Sequence, residues 1–280
     1  MNLYSLSLII KENEALPNSV TKRSYSSLDR RPNYLKATYS LSETDYFNFS
    51  RELSQDRFDF FFVPAEKKNV KPKLVVFDMD STLIQNEVID EMAMLFGKGE
   101  EVKLITERAM NGELDFDGSL KARVSLLKGL NQENLKDVLK VLKVTKGVPE
   151  FLQTCKRHGI KSAVVSGGFQ FFANHFKELL GLDYAYANTL EFQDGQLTGN
   201  VTGEIVNGSR KAILLQELAA KEGLLLDETI AIGDGANDIP MLKKAGLGFA
   251  FHAKEKVKRE IQHQINFGTM DVISYYLDLE

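Results

Sequence analysis

The sequence predicts an α/β protein whose main body is a doubly wound parallel sheet with helices on both faces. From residue 147 onward, short apolar segments alternate with amphipathic segments of helical period, and this order is typical of a parallel sheet. Four consecutive helical patterns interrupt the sheet directly after its first strand. Residues 1–70 show a separate pattern of strands and a helix, so we expect a small N-terminal α/β domain.

The composition is that of an ordinary globular protein, with 280 residues, 43% hydrophobic and 26% charged. The formal net charge of −4 argues against nucleic-acid binding as the main function. No apolar stretch approaches the ~20 residues of a membrane span, and the first residues lack the pattern of a signal peptide. We therefore expect a cytoplasmic protein without a membrane partner. The single cysteine, Cys155, excludes an internal disulfide.

The N-terminal residues alternate between apolar and polar side chains, which is the period of a half-buried strand. Ser42 is a candidate cap for a helix between two later strand patterns. We interpret the polar tract after the first strand as a loop and residues 67–73 as a linker. The predicted elements are strands at residues 3–10, 34–41 and 58–63 and a helix from Ser42 to Leu53.

The first strand of the main body, Leu74–Phe77, is apolar on both sides of its alternation, which predicts burial on both faces. The helical insertion occupies residues 85–146, and the core is expected at residues 71–84 and 147–280. The helices predicted in the insertion cover residues 88–96, 100–110, 116–127 and 134–142. Beyond it we predict strands at 160–165, 229–232 and 247–251, a hairpin at 187–203, and a long amphipathic helix from Lys254.

Three predicted strands end in polar or glycine-rich residues. The segments are Asp78-Met-Asp-Ser-Thr, Ser166-Gly-Gly and Gly233-Asp-Gly-Ala-Asn-Asp. Because the carboxyl ends of parallel strands meet at one edge of a sheet, these segments can converge on one ligand. Such buried carboxylates are costly unless a cation meets them. For the first segment alone, a surface turn is an equally good interpretation. The four carboxylates brought together would be Asp78, Asp80, Asp234 and Asp238.

These side chains favour phosphate chemistry with a magnesium ion. Carboxylates are hard oxygen ligands and no histidine lies in the three segments, so Mg²⁺ is favoured over zinc. Ser166 offers a hydroxyl group, and Gly167 offers a backbone N–H that a phosphate oxygen can approach closely. Lys211, at the start of a predicted helix, offers a cation, although alone it would be interpreted as an exposed lysine.

The nucleophile predicted by this inventory is a carboxylate. The sequence shows no serine triad or reactive cysteine, whereas an aspartate can form an aspartyl-phosphate that water then hydrolyses. A second acid two residues away can protonate the leaving oxygen and then activate the water. Asp78 and Asp80 have this spacing.

The three segments and Lys211 resemble, in the same order, the four motifs of the haloacid dehalogenase superfamily of phosphatases. The segments Asp78–Glu87, Arg123–Leu127 and Val165–Phe169 are most similar to the branch of that superfamily that hydrolyses O-phospho-L-serine. The resemblance covers residues 72–270. It implies a Rossmann-like core, a four-helix cap at residues 85–146, and an ACT-like domain within residues 1–70.

The resemblance also implies a role for each matching residue. Asp78 would be the nucleophile and Asp80 the general acid and base. Mg²⁺ would be held by the carboxylates of Asp78 and Asp234 and by the backbone carbonyl of Asp80, with Asp238 behind it or on a metal-bound water. The phosphate would be bound by Ser166, Gly167, Lys211 and Asn237. In the cap, Glu87 would meet the substrate ammonium and Arg123 its carboxylate, although either alone would be a solvated helix charge.

Three hypotheses stay open from the sequence. The first is hydrolysis of O-phospho-L-serine to L-serine and phosphate, the last step of serine biosynthesis. The second keeps the chemistry but acts on another small phosphomonoester such as phosphohomoserine, or transfers the phosphoryl group to homoserine. The third is a catalytically silent amino-acid-binding regulator, which the intact set of acidic residues and Lys211 argues against. A homodimer is one option for the assembly, and no nucleic-acid partner is expected.

Overall fold

The computed structural model describes residues 4–11, 20, 24, 26–31, 34–55, 59–64 and 71–279. The strands of an N-terminal antiparallel sheet are β1 (Tyr4–Lys11), β2 (Ser27–Arg31), β3 (Tyr34–Leu41) and β4 (Phe60–Pro64). The strands of a larger sheet are β5 (Leu74–Phe77), β6 (Lys161–Phe169), β7 (Tyr184–Gln193), β8 (Gln196–Thr202), β9 (Thr229–Gly233), β10 (Leu247–Phe251) and β11 (His263–Ile265).

The helices lie between these strands in the order expected of an α/β fold. They are α1 (Glu43–Gln55), α2 (Val88–Leu95), α3 (Gly99–Met110), α4 (Phe116–Ser125), α5 (Leu135–Leu139), α6 (Val148–Arg157), α7 (Gln170–Leu180), α8 (Gly208–Lys221), α9 (Ile239–Lys244), α10 (Glu255–Glu260) and α11 (Val272–Tyr276). Within the described ranges, every helix is too short or too polar to span a bilayer.

The larger sheet has the strand order β11-β10-β9-β5-β6-β7-β8, and all neighbouring pairs are parallel except β7 with β8. The chain runs from β5 toward β8 on one side and from β9 toward β11 on the other. The direction of winding therefore reverses beside β5, and α/β proteins bind ligands at such a reversal. This confirms the predicted α/β fold with a mostly parallel sheet.

Strand β5 is buried on both faces, as its sequence predicted. Val75 and Phe77 belong to the apolar layer on one side of the sheet, and Leu74 and Val76 belong to the layer on the other side. All four residues are completely buried. A strand with no exposed face has a fixed position, so the residue that follows it is held equally firmly.

Four helices, α2 to α5, lie in the chain between β5 and α6. Their apolar side chains, among them Val88, Met92 and Leu120, are continuous with the apolar layer that contains Phe77. The backbone also links this segment to the hairpin of β7 and β8, since Gly129 N–H donates to the Leu197 carbonyl at 2.8 Å. The helical segment is therefore attached both to the sheet and to the hairpin.

The N-terminal sheet, ordered β2-β3-β1-β4, packs α1 on one face and the C-terminal part of the chain on the other. Lys36 Nζ lies 2.6 Å from Asp278 Oδ1. The carboxylate of Asp59 accepts backbone N–H groups from residues 266–268 at 2.7 to 3.0 Å. Phe61 stacks on two aromatic rings of the C-terminal part. Charge and aromatic packing thus fix this sheet to the larger unit.

Several predicted elements differ from the structure. The polar tract interpreted as a loop contains β2, because Ser27–Arg31 pairs with the edge of β3. The long helix expected from Lys254 is wrong: α10 has 6 residues, and the alternating residues that follow it form β11, which pairs with β10. Residues 67–70 of the predicted linker lie outside the described residues. The strand predicted at residues 160–165 begins one residue later and continues to Phe169, with an irregular register.

Candidate active site

Asp78 and Asp234 follow neighbouring strands at the carboxyl edge of the sheet. Phe77, the last residue of β5, is paired with Ile232 of β9 and with Val164 of β6. The Asp78 N–H donates to the Ile232 carbonyl at 2.8 Å, so the sheet hydrogen bonds extend to the first aspartate. Both aspartates are buried, and each residue is 5% exposed to solvent. The register of two buried strands therefore brings them together.

After Asp78 the chain forms a tight turn over Met79–Leu83. Backbone hydrogen bonds close it, from Leu83 N–H to the Asp78 carbonyl at 3.2 Å and from Ile84 N–H to the Met79 carbonyl at 3.0 Å. Ser81 takes a positive φ of 56°, which is an uncommon backbone conformation for a residue other than glycine. The turn explains how two aspartates that are two residues apart can have different surroundings.

The Asp80 carboxylate is held by two donors at the base of the helical segment. Its Oδ1 accepts the N–H of Val88, the first residue of α2, at 2.8 Å, and its Oδ2 accepts the Ser166 hydroxyl at 3.2 Å. Burial and, next, the negative charge of Glu87 raise the pKa of Asp80 to about 7. Asp80 can therefore hold or release a proton near neutral pH.

Lys211 is completely buried and lies between two carboxylates. Its Nζ is 2.6 Å from Asp78 Oδ1 and 2.7 Å from Asp238 Oδ1. Burial alone would lower the pKa of Lys211, but the attraction of Asp238 and Asp78 outweighs it and raises the pKa. Lys211 is therefore not the exposed lysine expected from the residue type alone, and it lies among the strand-end aspartates with which the sequence analysis grouped it.

The remaining oxygens of these carboxylates have distinct partners. Asp78 Oδ1 also accepts the Met79 N–H at 2.7 Å, and Asp238 Oδ2 accepts the Gly235 N–H at 2.9 Å. Asp238 thus has both oxygens bound by protein donors. Among the described residues, no hydrogen bond is formed to Asp78 Oδ2, and this oxygen is available for a ligand.

The acidic residues form a cluster that fits a divalent cation. One oxygen each from Asp78, Asp234 and Asp238 lie within 4.8 Å of one another. Burial, followed by the charge of Asp238, raises the pKa of Asp78 well above its ordinary value and that of Asp234 to about 6. These raised pKa values indicate that the cluster carries more negative charge than Lys211 neutralises. Because Mg²⁺ and Ca²⁺ prefer hard oxygen donors, carboxylates with excess negative charge are suited to such an ion.

Two further groups hold Asp234 in place. The Thr82 hydroxyl donates to Asp234 Oδ1 at 3.4 Å, and Lys254 Nζ lies 3.7 Å from Oδ2. The Lys254 N–H also donates to the Asp234 carbonyl at 3.1 Å. The sequence predicted a long amphipathic helix beginning at Lys254, whereas Lys254 lies directly before α10 with its ammonium directed at this cluster.

Ser166 and Gly167 lie where β6 departs from regular pairing with β7. The Gly168 N–H donates to the Ser166 hydroxyl oxygen at 2.8 Å. A Cβ atom on Gly167 would lie 2.6 Å from the Phe116 ring of α4, so any larger residue would require this ring to move. The glycine-rich segment is therefore packed directly under the helical segment.

Asn237 belongs to the turn that follows β9. A Cβ atom on Gly235 would lie 2.5 Å from Asn237 Oδ1, and one on Gly208 would lie 2.8 Å from the Asn237 carbonyl. Gly235 therefore leaves room for the Asn237 side chain within the turn, and Gly208 allows the turn to pack against the start of α8, the helix that contains Lys211. Asn237 is half-buried there.

Glu87 and Arg123 lie on the helical side of the site. Glu87 precedes α2 and accepts the Ser81 hydroxyl at 3.0 Å. Arg123 is in the last turn of α4, and its Nε donates to the Ser119 carbonyl at 3.3 Å. Burial lowers the pKa of Arg123, and the negative charges of Asp90, Glu87 and Asp80 oppose this effect.

The sequence interpretation missed two residues of this region. Asp90 is three residues after Glu87, hence on the same face of α2, and this spacing was the available signal. Asp117 of α4 accepts a hydrogen bond from Asn207 Nδ2 at 3.1 Å. Asn207 caps the start of α8, so this bond connects the helical segment to the helix that contains Lys211.

Comparison with known proteins agrees with this geometry. Residues 75–243 match the family model of haloacid dehalogenase-like hydrolases. A phosphoserine phosphatase of Archaeoglobus fulgidus is 48% identical over 208 residues, which are 74% of this chain and 60% of that protein. The chain thus spans about 60% of the length of this curated relative.

Two solved structures are also similar. A haloacid dehalogenase family hydrolase from Salmonella enterica serovar Typhi has a TM-score of 0.89 at 33% identity, covering 98% of both chains. The structure of a phosphoserine phosphatase as a phospho-aspartyl intermediate analogue has a TM-score of 0.70 at 48% identity, covering 74% of this chain and 99% of that one. With its motif residues gathered at the carboxyl edge of the sheet, the chain belongs to the haloacid dehalogenase-like hydrolase family.

Proposed function

We propose that this protein is a Mg²⁺-dependent phosphatase that hydrolyses O-phospho-L-serine to L-serine and phosphate, the last step of serine biosynthesis. The observation that carries the proposal is the charge arrangement of the site. Lys211 is held between Asp78 and Asp238 at the strand ends, while Glu87 and Arg123 approach Asp80 from the helices. One end suits a phosphate, and the other suits an ammonium and a carboxylate. The similarity to phosphoserine phosphatases supports the same assignment.

Asp78 is the proposed nucleophile. The Met79 N–H and Lys211 hold its Oδ1, which fixes the plane of the carboxylate and leaves Oδ2 to face a ligand. An oxygen of Asp78 forms the bond to phosphorus while the bond from phosphorus to the serine Oγ breaks, which gives an aspartyl-phosphate. Water then attacks the phosphorus, and phosphate and the free carboxylate are released. Lys211 balances the charge that collects on the phosphate oxygens.

Asp80 is the proposed general acid and base. With a pKa of about 7, a protonated fraction can donate to the leaving serine Oγ in the first step. The resulting carboxylate can accept a proton from the attacking water in the second step. Its hydrogen bonds from the Val88 N–H and the Ser166 hydroxyl keep it between the helical segment and the glycine-rich segment. Ser166, the Gly167 N–H and Asn237 are proposed to bind the phosphate oxygens.

Mg²⁺ is the proposed cofactor, because the donors around the cluster are carboxylate oxygens that carry unbalanced negative charge. The carboxylates of Asp78 and Asp234 and the backbone carbonyl of Asp80 would hold it, with Asp238 behind them. When bound, the ion would neutralise phosphate charge next to Asp78. Asp238 keeps both oxygens on Gly235 and Lys211, so it is proposed to position Lys211 and not to bind the ion directly.

Residues 85–146 are proposed to act as a cap that contributes substrate specificity, and residues 71–84 and 147–280 as the catalytic core. The position of Glu87 directly before α2 and of Arg123 on α4 supports this division. Residues 1–70 are proposed to form a small ACT-like domain, supported by the four-stranded antiparallel sheet and α1. A homodimer and a cytoplasmic location stay predictions.

The test is phosphate release from matched substrates with and without Mg²⁺. Phosphoethanolamine lacks the carboxylate of O-phospho-L-serine, and 3-phosphooxypropanoate lacks its ammonium. We expect kcat/KM for O-phospho-L-serine to exceed both by at least about 30-fold, since an unmatched buried charge costs roughly 2–5 kcal/mol. Similar values for all three compounds, or turnover unchanged in EDTA, would contradict the proposal.

Adding O-phospho-L-homoserine to the substrates, and L-homoserine as an acceptor, separates the second hypothesis from the first. Faster turnover of O-phospho-L-homoserine, or formation of phosphohomoserine from O-phospho-L-serine, would favour it. A silent regulator would release no phosphate from any of these compounds.

A further inference from the structure

Asn188 of β7 is a buried side chain that the chemistry described above does not use. It is 2% exposed, and both ends of its amide bind backbone groups. Nδ2 donates to the Gly167 carbonyl at 2.8 Å, and Oδ1 accepts the Val206 N–H at 2.8 Å. One side chain therefore bridges two separate loops that approach each other at the edge of the sheet.

Each of these loops leads to a group that is proposed to bind phosphate. Gly167 follows Ser166 and offers its own N–H. Val206 precedes Asn207, whose carbonyl accepts the Lys211 N–H at 2.9 Å in the first turn of α8. On one side, the Asn188 amide thus binds Gly167, the residue next to Ser166. On the other side, it binds Val206, which lies shortly before α8, and Lys211 is in the first turn of that helix.

Regular sheet pairing does not fix Gly167. Val165 of β6 pairs with Tyr186 and Phe169 pairs with Asn188, so three residues of β6 lie opposite only one residue of β7. The carbonyl of Gly167 falls within this irregular stretch and takes the Asn188 amide as its partner. The side chain replaces a hydrogen bond that a regular strand would supply.

The loops that contain Gly167 and Val206 are also in direct contact, so their spacing depends on the hydrogen bonds that Asn188 forms to both. A Cβ atom on Gly167 would lie 3.5 Å from the Val206 carbonyl oxygen and 2.6 Å from the Phe116 ring. Movement of Gly167 would therefore change the distance between the Ser166–Gly167 donors and α8. Phosphate binding depends on that distance because both sides hold the same anion.

We propose that Asn188 is a positioning residue that holds the Ser166–Gly167 segment and the start of α8 at the spacing required to bind the phosphate group. It acts through the Gly167 carbonyl and the Val206 N–H and does not touch the reacting atoms. This inference rests on the proposed phosphate site. It predicts that loss of the amide weakens phosphate binding and leaves the amino-acid end of the site unchanged.

The test compares two variants with a matched control in the full chain with Mg²⁺. Asn188→Leu keeps the branched shape of the side chain, adds no charge and removes both hydrogen bonds, while Asn188→Ala also removes volume. The control is Gln170→Met, because Gln170 likewise binds β7 through its amide, to the Ala185 carbonyl at 3.1 Å and the Ala187 N–H at 2.8 Å. Orthophosphate binding is measured by calorimetry, and L-serine is measured as a competitive inhibitor.

We expect both Asn188 variants to bind orthophosphate about tenfold more weakly than the wild-type chain, since an unpaired buried polar group carries a free-energy cost of that order. The inhibition constant of L-serine should change less than twofold, and Gln170→Met should change neither quantity. If Asn188→Ala does not fold, Asn188→Leu decides the question alone.

Wild-type orthophosphate affinity in the folded Asn188 variants would overturn the proposal, and so would equal losses for orthophosphate and L-serine. The calorimetry needs no turnover. A wild-type chain that binds orthophosphate but does not hydrolyse O-phospho-L-serine would contradict the proposed function, while the calorimetric comparison of orthophosphate binding by the Asn188 variants still stands. Hydrolysis by the wild type combined with unchanged orthophosphate binding in the variants would contradict the positioning role alone.

Discussion

The two ends of the candidate site differ in how their charges are satisfied. At the strand ends, Lys211 lies within 2.7 Å of two carboxylates. The Gly235 N–H binds the Asp238 oxygen that the lysine does not reach, and the Met79 N–H binds the Asp78 oxygen that the lysine also contacts. On the helical side, Arg123 donates one hydrogen bond at 3.3 Å to a carbonyl of its own helix. Among the described residues, protein groups therefore satisfy the carboxylate oxygens of Asp78 and Asp238 except for Asp78 Oδ2, whereas the Arg123 guanidinium keeps most of its donors available for a ligand.

We infer that this difference separates chemistry from specificity. The groups proposed to react follow buried strands, where position is fixed before a substrate arrives, and such preorganisation favours a charged transition state. The residues proposed to recognise the amino acid lie on helices that join the core through a few links, among them the bond from Asn207 to Asp117. A substitution at the strand ends should therefore lower kcat/KM for every substrate, whereas a substitution on the helices should lower kcat/KM for only some substrates.

Lys211→Met should have the largest effect. It leaves the buried carboxylates of Asp78 and Asp238 without their cation, so we expect kcat/KM to fall at least about 100-fold for every substrate. The free energy of unfolding should fall by roughly 3–5 kcal/mol in EDTA, as when one member of a buried ion pair is removed. Urea unfolding and phosphate release measure the two effects.

Lys254→Met is the matched control for Lys211. Its ammonium is largely exposed and 3.7 Å from Asp234, so removing it should cost at most about 1 kcal/mol. Equal losses of stability in the two lysine variants would contradict the burial that distinguishes them.

Arg123→Ala should separate the two ends of the site most clearly. Loss of a guanidinium from a partly buried carboxylate site costs roughly 2–5 kcal/mol, so kcat/KM for O-phospho-L-serine should fall by about 30-fold or more. Phosphoethanolamine, which has no carboxylate, should lose less than about threefold. Steady-state kinetics with both substrates measures these losses. Equal losses of kcat/KM for the two substrates would contradict the proposed role of Arg123.

Asp234→Asn should stabilise the metal-free chain at high pH. Burial raises the pKa of Asp234 to about 6 from 3.8, so its protonated form is favoured in the fold. That contribution is complete below pH 3.8 and is lost as the pH rises through 6. At pH 8 the ionised carboxylate therefore destabilises the fold, and the asparagine should add about 1–3 kcal/mol to the free energy of unfolding.

Urea unfolding in EDTA at pH 5 and pH 8 measures this effect. The advantage of the asparagine should shrink at pH 5, where Asp234 is mostly protonated in the wild type. Added Mg²⁺ should stabilise the wild type and have less effect on the variant. A variant that is less stable than the wild type at pH 8 would show that Thr82 and Lys254 stabilise the carboxylate more than burial destabilises it.

Asp117→Ala should have the smallest effect. It removes one hydrogen bond between α4 and the start of α8, and a bond of this kind contributes about 1 kcal/mol. We expect KM for O-phospho-L-serine to rise by about two- to fivefold with little change in stability. Asp117→Asn keeps an acceptor for Asn207 and should restore the wild-type KM. A failure of this rescue would show that the charge of Asp117 matters more than the bond.

The strand ends were predictable from the sequence because the physical signal is local. An apolar segment with no polar alternation must be buried on both faces, and the aspartates that follow it must lie at the sheet edge. The same logic placed Ser166 and Asp234. The burial of Lys211 followed only once these segments were considered together, since a lysine alone is normally exposed.

Residues that act across the fold were not predictable in this way. Asn188 lies in a hairpin 22 positions after Ser166, and its partners are backbone groups of two loops. Its one local signal is an asparagine within a strand, where this residue is uncommon. Similarly, the residues after Lys254 form a short helix and then β11, because pairing with β10 outweighs the helical pattern of their sequence.

The central claim is that Asp78 accepts the phosphoryl group of O-phospho-L-serine. Mixing the chain with Mg²⁺ and O-phospho-L-serine, quenching with acid within one turnover, and mapping peptides by mass spectrometry tests it directly. We expect a phosphorylated peptide containing Asp78 in the wild type and in Asp80→Asn, and none in Asp78→Asn. Phosphate release without a phosphorylated Asp78 in either of the first two chains, or near-wild-type turnover by Asp78→Asn, would contradict the claim.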